Sequence, residues 1–85
     1  MTLSKKASCG TENKSDCLVT IEPADELNIE VQSKVEKLFA PAISRTAQEV
    51  VEANKVEKAR IIIKDFGALD WVIRARLECA IQRAK

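Results

Sequence analysis

Hydrophobic and polar residues alternate most cleanly in LNIEVQ, with Leu27, Ile29 and Val31 on one face and Asn28, Glu30 and Gln32 on the other. A period of two is the pleat of a half-buried strand. The preceding CLVTIEP sets Cys17, Val19 and Ile21 against Leu18, Thr20 and Glu22 and ends at Pro23. With PADE (23–26) as the turn, the two segments predict a β-hairpin. A further run, ARIIIKD, places three isoleucines in succession. That pattern predicts a strand buried on both faces, hence central or well covered.

From Ser33 the period becomes helical. Val35, Leu38, Phe39, Ala42, Ile43, Thr46, Ala47, Val50 and Val51 form one apolar stripe. Ser33 and Glu36 fit a capping box, in which each side chain bonds the other residue's backbone N–H. Pro41 interrupts the pattern; inside a helix it removes a backbone bond and costs roughly 3 kcal/mol unless a kink accommodates it. The stripe stays in phase across it, which predicts a bend rather than two helices. ANKVEK (53–58) ends this helix. After the isoleucine strand, Asp65 or a neighbour caps a second helix with Leu69, Val72, Ile73, Leu77, Ala80 and Ile81 inward. A strand, helix and strand in succession require a right-handed crossover if the strands lie parallel in one sheet. The predicted order is ββαβα, an α+β fold with a three-stranded sheet and two helices packed on one face. Residues 1–16 lack periodicity and read as a flexible N-terminal arm ahead of a single α+β domain at 17–85.

Composition narrows the chemistry. Eighty-five residues make one domain, and with Phe39, Phe66 and Trp71 as its aromatics the core is aliphatic. Fourteen basic and thirteen acidic residues leave a formal charge of +1, without the basic stripe of a nucleic-acid module. Histidine is absent, so Ser-His and Cys-His catalysis lack their usual base. Gly10 and Gly67 do not make a phosphate loop. Glu22, Glu30, Glu36, Glu49, Glu52 and Glu57 read as a solvated face rather than an acid–base pair. These features argue against an independent enzyme. Cys9, Cys17 and Cys79, odd in number and without a CxxC, point to reduced thiols rather than a disulfide framework or zinc. No apolar run precedes Cys9 and none reaches 18 residues, so the expectation is a cytoplasmic chain without membrane contact.

In KDFGALDWVIRARLECAIQRA, Asp70, Arg74, Arg76 and Arg83 fall off the apolar stripe. One reading is solubility with i,i+4 pairing of Asp70 and Arg74, the commoner fate of surface charge. The other is a docking surface of Asp70, Trp71, Arg74 and Arg76, whose arginines meet a partner's carboxylates or phosphates. Trp71 suits either the core edge or an interface anchor.

CGTENKSD followed by a strand, then VEKLFAPAI, then KDFGALDWVIRARLECAIQRA, resembles the acyl carrier protein of citrate lyase, its gamma subunit, over nearly the whole chain. The match is most specific at Asp65, Gly67, Ala68, Leu69, Asp70 and Arg74-Ala75-Arg76, with Gly10, Thr11 and Asp16 in support. The resemblance implies a carrier subunit with no catalytic residues, and not a four-helix-bundle carrier. It implies acetyl or citryl thioesters held on 2'-(5''-phosphoribosyl)-3'-dephospho-CoA, joined by a phosphodiester to a loop serine. It also implies three partners: a transferase (alpha) subunit, a lyase (beta) subunit and an arm-transferring enzyme. In the family the modified serine stands two residues before the loop aspartate, in a segment like G-T-x-E-S-x-D. Here Lys14 holds that slot and Ser15 directly precedes Asp16. Ser15 is therefore the candidate attachment residue, with the register moved by one, ahead of Thr11 and Ser8. The alternatives are a non-modified scaffold subunit on the same fold, which Lys14 would fit, and an independent small-molecule or RNA-binding module.

Overall fold

The computed structural model describes residues 3–33 and 40–85. Its elements run β1 (Ala7–Gly10), β2 (Cys17–Pro23), β3 (Asn28–Ser33), α1 (Ala40–Ala53), β4 (Ala59–Asp65) and α2 (Asp70–Ala84). The strands make one sheet in the order β1-β2-β4-β3.

The expected hairpin and the expected strand count both change. β2 and β3 do not form a hairpin, because β4 lies between them, antiparallel to β2 and parallel to β3. The isoleucine strand takes the centre, where neighbours on both sides satisfy its backbone N–H and C=O groups. The sheet also has four strands rather than three. Ala7–Gly10, within the stretch read as an arm, pairs antiparallel with β2 through Ala7↔Ile21 and Cys9↔Val19. Its inward face carries only Ala7 and Cys9, too little alternation to mark a strand in the sequence.

The register aligns inward rows across the sheet: Cys9, Val19, Ile63 and Val31 in one, Ala7, Ile21, Ile61 and Ile29 in the next. Both helices cover that face, α2 over β1 and β2, α1 over β3. They contribute Ile43, Ala47, Val50 and Val51 from α1, and Ile73, Leu77, Ala80, Ile81 and Ala84 from α2. Val19, Ile21, Ile61, Ile63, Leu77 and Ile81 are fully buried, an aliphatic core whose burial drives the packing. Among the described residues no helix covers the opposite face. Ile62 sits on it, half-buried beside Thr20 and Glu30, so the three isoleucines are central but not all enclosed.

Parallel pairing of β3 and β4 through α1 is the strand–helix–strand unit the order predicts. Ser33 is the last residue of β3, and its hydroxyl donates to Asp65 Oδ2 at 3.3 Å. Glu36 of the expected capping box lies outside the described residues, and so do the residues before Ala40 on which a bend at Pro41 depends. Asp65, buried at the end of β4, accepts the Gly67 and Ala68 N–H groups through Oδ1 at 3.2 and 2.9 Å. It thus caps the turn leading to α2. The helix itself has Leu69 at its N-cap and no side-chain capping bond there. Leu69, expected inward, is 56% exposed. Among the described residues no helix is long and apolar enough to cross a membrane.

Candidate functional site

The loop 11–16 joins β1 to β2. Gly10 enters it at φ +111, against the Cys17 carbonyl, with which any side chain at this position would collide. The next residue, Thr11, donates its N–H to that carbonyl at 3.2 Å. A left-handed residue packed against backbone is a place for glycine.

Asp16 is the hub. Its Oδ1 accepts the Cys17 N–H at 2.7 Å and Arg76 Nε at 3.0 Å. Its Oδ2 accepts the Thr11 hydroxyl at 2.6 Å and Arg76 Nη2 at 3.1 Å. Arg76 reaches it from the second turn of α2, a two-pronged charge-assisted contact that suits guanidinium geometry. The side chain of Asp16 is 14% exposed. The Arg76 and Thr11 bonds hold its carboxyl down at about 2. Thr11 is doubly engaged, since its oxygen also accepts the Asn13 N–H at 3.2 Å.

Ser15 stands between these contacts. Its N–H donates to the Phe66 carbonyl at 2.8 Å, and the Phe66 N–H donates to the Asp16 carbonyl at 3.0 Å. The backbone is left-handed at φ +69, which costs a residue with a Cβ roughly 1–2 kcal/mol. Its side chain is exposed, as is that of Lys14. Ser8 is also exposed, but on β1, where its carbonyl accepts Arg83 Nη1 at 2.8 Å.

The four residues read as a docking surface fall into three surroundings, with Asp70 and Arg74 sharing one. Arg74 donates to Asp70 Oδ2 at 2.7 Å and to Glu49 Oε2 at 2.6 Å. Thr46 donates its hydroxyl to Asp70 Oδ1 at 2.6 Å, so this network ties α1 to α2. The Thr46 bond, then the Arg74 bond, lower the Asp70 carboxyl pKa. Arg76 belongs to the loop, and Trp71 is 67% exposed. The i,i+4 pair expected of Asp70 and Arg74 therefore forms, with Glu49 and Thr46 as further partners. Burial pushes the Cys17 thiol up to about 12 and raises Cys9 as well.

The family described as "ACP: Malonate decarboxylase delta subunit (MdcD)" matches residues 4–84. The citrate lyase acyl carrier protein of Treponema denticola is 42% identical over 84 residues, covering 99% of this chain and 97% of the relative. This chain belongs to that family. The citrate lyase acyl carrier protein of Cronobacter sakazakii is 47% identical over 85 residues, covering 99% and 88%. A chain of the Pseudomonas malonate decarboxylase hetero-tetramer crystallised with malonate superposes with a TM-score of 0.81 at 25% identity, covering 100% of this chain and 93% of that one. Membership makes the chain an acyl carrier subunit of a lyase-type complex, a carrier and not an enzyme.

Proposed function

We propose that this carrier serves a citrate lyase-type complex, with Ser15 as the covalent anchor of a 2'-(5''-phosphoribosyl)-3'-dephospho-CoA arm. The observation that carries the reading is an exposed Ser15 side chain on a loop held from both flanks, by Phe66 and by Asp16 with Arg76. A carrier needs a displayed attachment atom on a rigid body, because tethering raises the effective concentration of the cargo at each partner.

The residues present suit a phosphodiester. Lys14 adjoins Ser15, and the carboxylate on the other side, Asp16, already faces Arg76. An anion at Ser15 thus has a neighbouring cation, while the neighbouring acid is paired. When bound, the arm supplies a thiol on which acetyl or citryl groups travel as thioesters. The chain's own part is mechanical: Arg76 and Thr11 hold Asp16, the Phe66 carbonyl holds the Ser15 N–H, and no base on this chain is needed. An arm-transferring enzyme would activate the hydroxyl. The transferase and lyase subunits would meet the body at α2, where Trp71 is the open apolar contact. Asp70, Arg74 and Arg76, whose charges pair within the chain, would shape that surface rather than supply free charge.

The test is the intact mass of the chain and of Ser15→Ala, each co-produced with the arm-transferring enzymes. A gain of one arm by the unmutated chain and none by the variant is expected. An unshifted mass for the unmutated chain would sink the proposal. A second reading, an unmodified scaffold subunit, is favoured by Lys14 in the usual slot and by the left-handed backbone of Ser15. It expects assembly with the large subunits and no thioester.

A further inference from the structure

Between the start of α1, the β4–α2 turn and the start of α2 lies a cavity of about 450 Å³. Its apolar wall is Ala42, Ile43, Ala68, Leu69 and Ile73. Its polar side chains are Thr46, Asp65 and Asp70. All three are engaged elsewhere: Thr46 on Asp70, Asp70 also on Arg74, and Asp65 on the Gly67 and Ala68 amides and the Ser33 hydroxyl. A volume in the range of small-molecule sites, with its polar groups already satisfied, suits an uncharged alkyl chain. Two carboxylates at its wall disfavour an anionic one, which would lose hydration without gaining a cation.

The cavity wall connects to the Ser15 loop through Phe66. The Ser15 N–H bonds to the Phe66 carbonyl, and Phe66 stands between Asp65 and Gly67, both in the cavity wall. A chain tethered at Ser15 is therefore anchored beside a residue flanked by two wall residues, and tethering makes even weak apolar contacts effective.

We propose that this cavity receives the uncharged thioester end of the arm, sheltering a small neutral acyl group such as acetyl from water while leaving a polycarboxylate acyl group outside. The inference rests on Ser15 anchoring as proposed above. The shelter needs no new bond, since burial alone lowers the access of water to the thioester carbonyl.

The experiment compares methyl NMR spectra of the isolated chain unloaded, loaded with the acetylated arm, and loaded with the citrylated arm. Intact mass first reports loading. The Ile43, Leu69 and Ile73 methyls are expected to shift with the acetylated arm and to stay near the unloaded positions with the citrylated arm. Ile62, on the opposite sheet face, stays in place in both. A cavity-filling Ala42→Leu chain, at an exposed helix position, is expected to lose those shifts and to release acetate several-fold faster from the isolated carrier. A loaded chain whose cavity methyls do not move, or whose acetyl lifetime is unchanged by Ala42→Leu, overturns the cavity assignment alone. A chain that never gains mass overturns the anchoring and this inference with it.

Discussion

Arg76 in α2 and Asp16 in the loop before β2 meet through two hydrogen bonds, 3.0 and 3.1 Å long, across sixty residues of sequence. The contact closes a ring: loop to helix by side chains, and loop to the β4–α2 turn by the Ser15 and Phe66 amides. The loop is thus tied to the rest of the fold at the residue after the exposed serine. Its presentation is a tertiary property rather than a local one.

This ring titrates. The Asp16 carboxyl sits at about 2, against 3.8 for the ordinary group. A depressed acid adds stability above its unfolded value, and that contribution is lost as pH falls through the folded one. The loop should therefore hold above pH 3.8 and loosen progressively toward pH 2. A carboxyl NMR titration of Asp16 checks this, and Arg76→Ala should move the midpoint upward toward the ordinary value. Asp16→Ala should destabilise the chain by about 1–3 kcal/mol, the usual scale for lost hydrogen bonds to a charged group.

Gly10 tolerates no side chain. At φ +111, with the Cys17 carbonyl where a Cβ would go, Gly10→Ala must displace β1 from β2. A loss above about 1 kcal/mol in chemical denaturation is expected, with faster amide exchange at Thr11. Unchanged exchange at Thr11 would contradict the close approach.

The thiols should differ in reactivity. The thiolate is the nucleophile, so a fully buried Cys17 pushed up to about 12 should resist alkylation at pH 8 in the native chain. Cys9 is buried and raised too, whereas Cys79 is half-buried. Alkylation followed by peptide mass mapping should find Cys79 labelled first, and Cys17 labelled only under denaturing conditions.

Leu77 lies wholly buried where α2 meets the sheet. Leu77→Ala should cost about 2–5 kcal/mol, through lost apolar burial and the cavity left behind. Ala75→Ser, on the exposed side of the same helix, should change stability by less than about 0.5 kcal/mol. Paired urea melts measure both.

Hydrophobic pattern alone located β2, β3 and both helices by their period and β4 by its unbroken run of isoleucines. It could not locate β1, whose inward side chains are Ala7 and Cys9, nor decide that β4 would part β2 from β3. Neighbours in sequence are the default partners in a hairpin, yet the most apolar strand does best in the centre, with a partner on each side. That choice depends on competition among strands, which no single segment encodes.

The candidate site divides in the same way. The sequence by itself determined the residue types available: no histidine, hydroxyls in an N-terminal segment, and a motif resembling a carrier with Lys14 in the serine slot. Only the tertiary structure decided their roles. It committed the Thr11 hydroxyl to Asp16, turned Arg76 from a surface charge into the loop's clamp, and left the Ser15 side chain exposed on a strained but anchored backbone. The physical reason is that pairing of charges sixty residues apart follows from how α2 lies across β1 and β2, and that is set by burial of Leu77, Ile81 and Val19 rather than by the charges themselves.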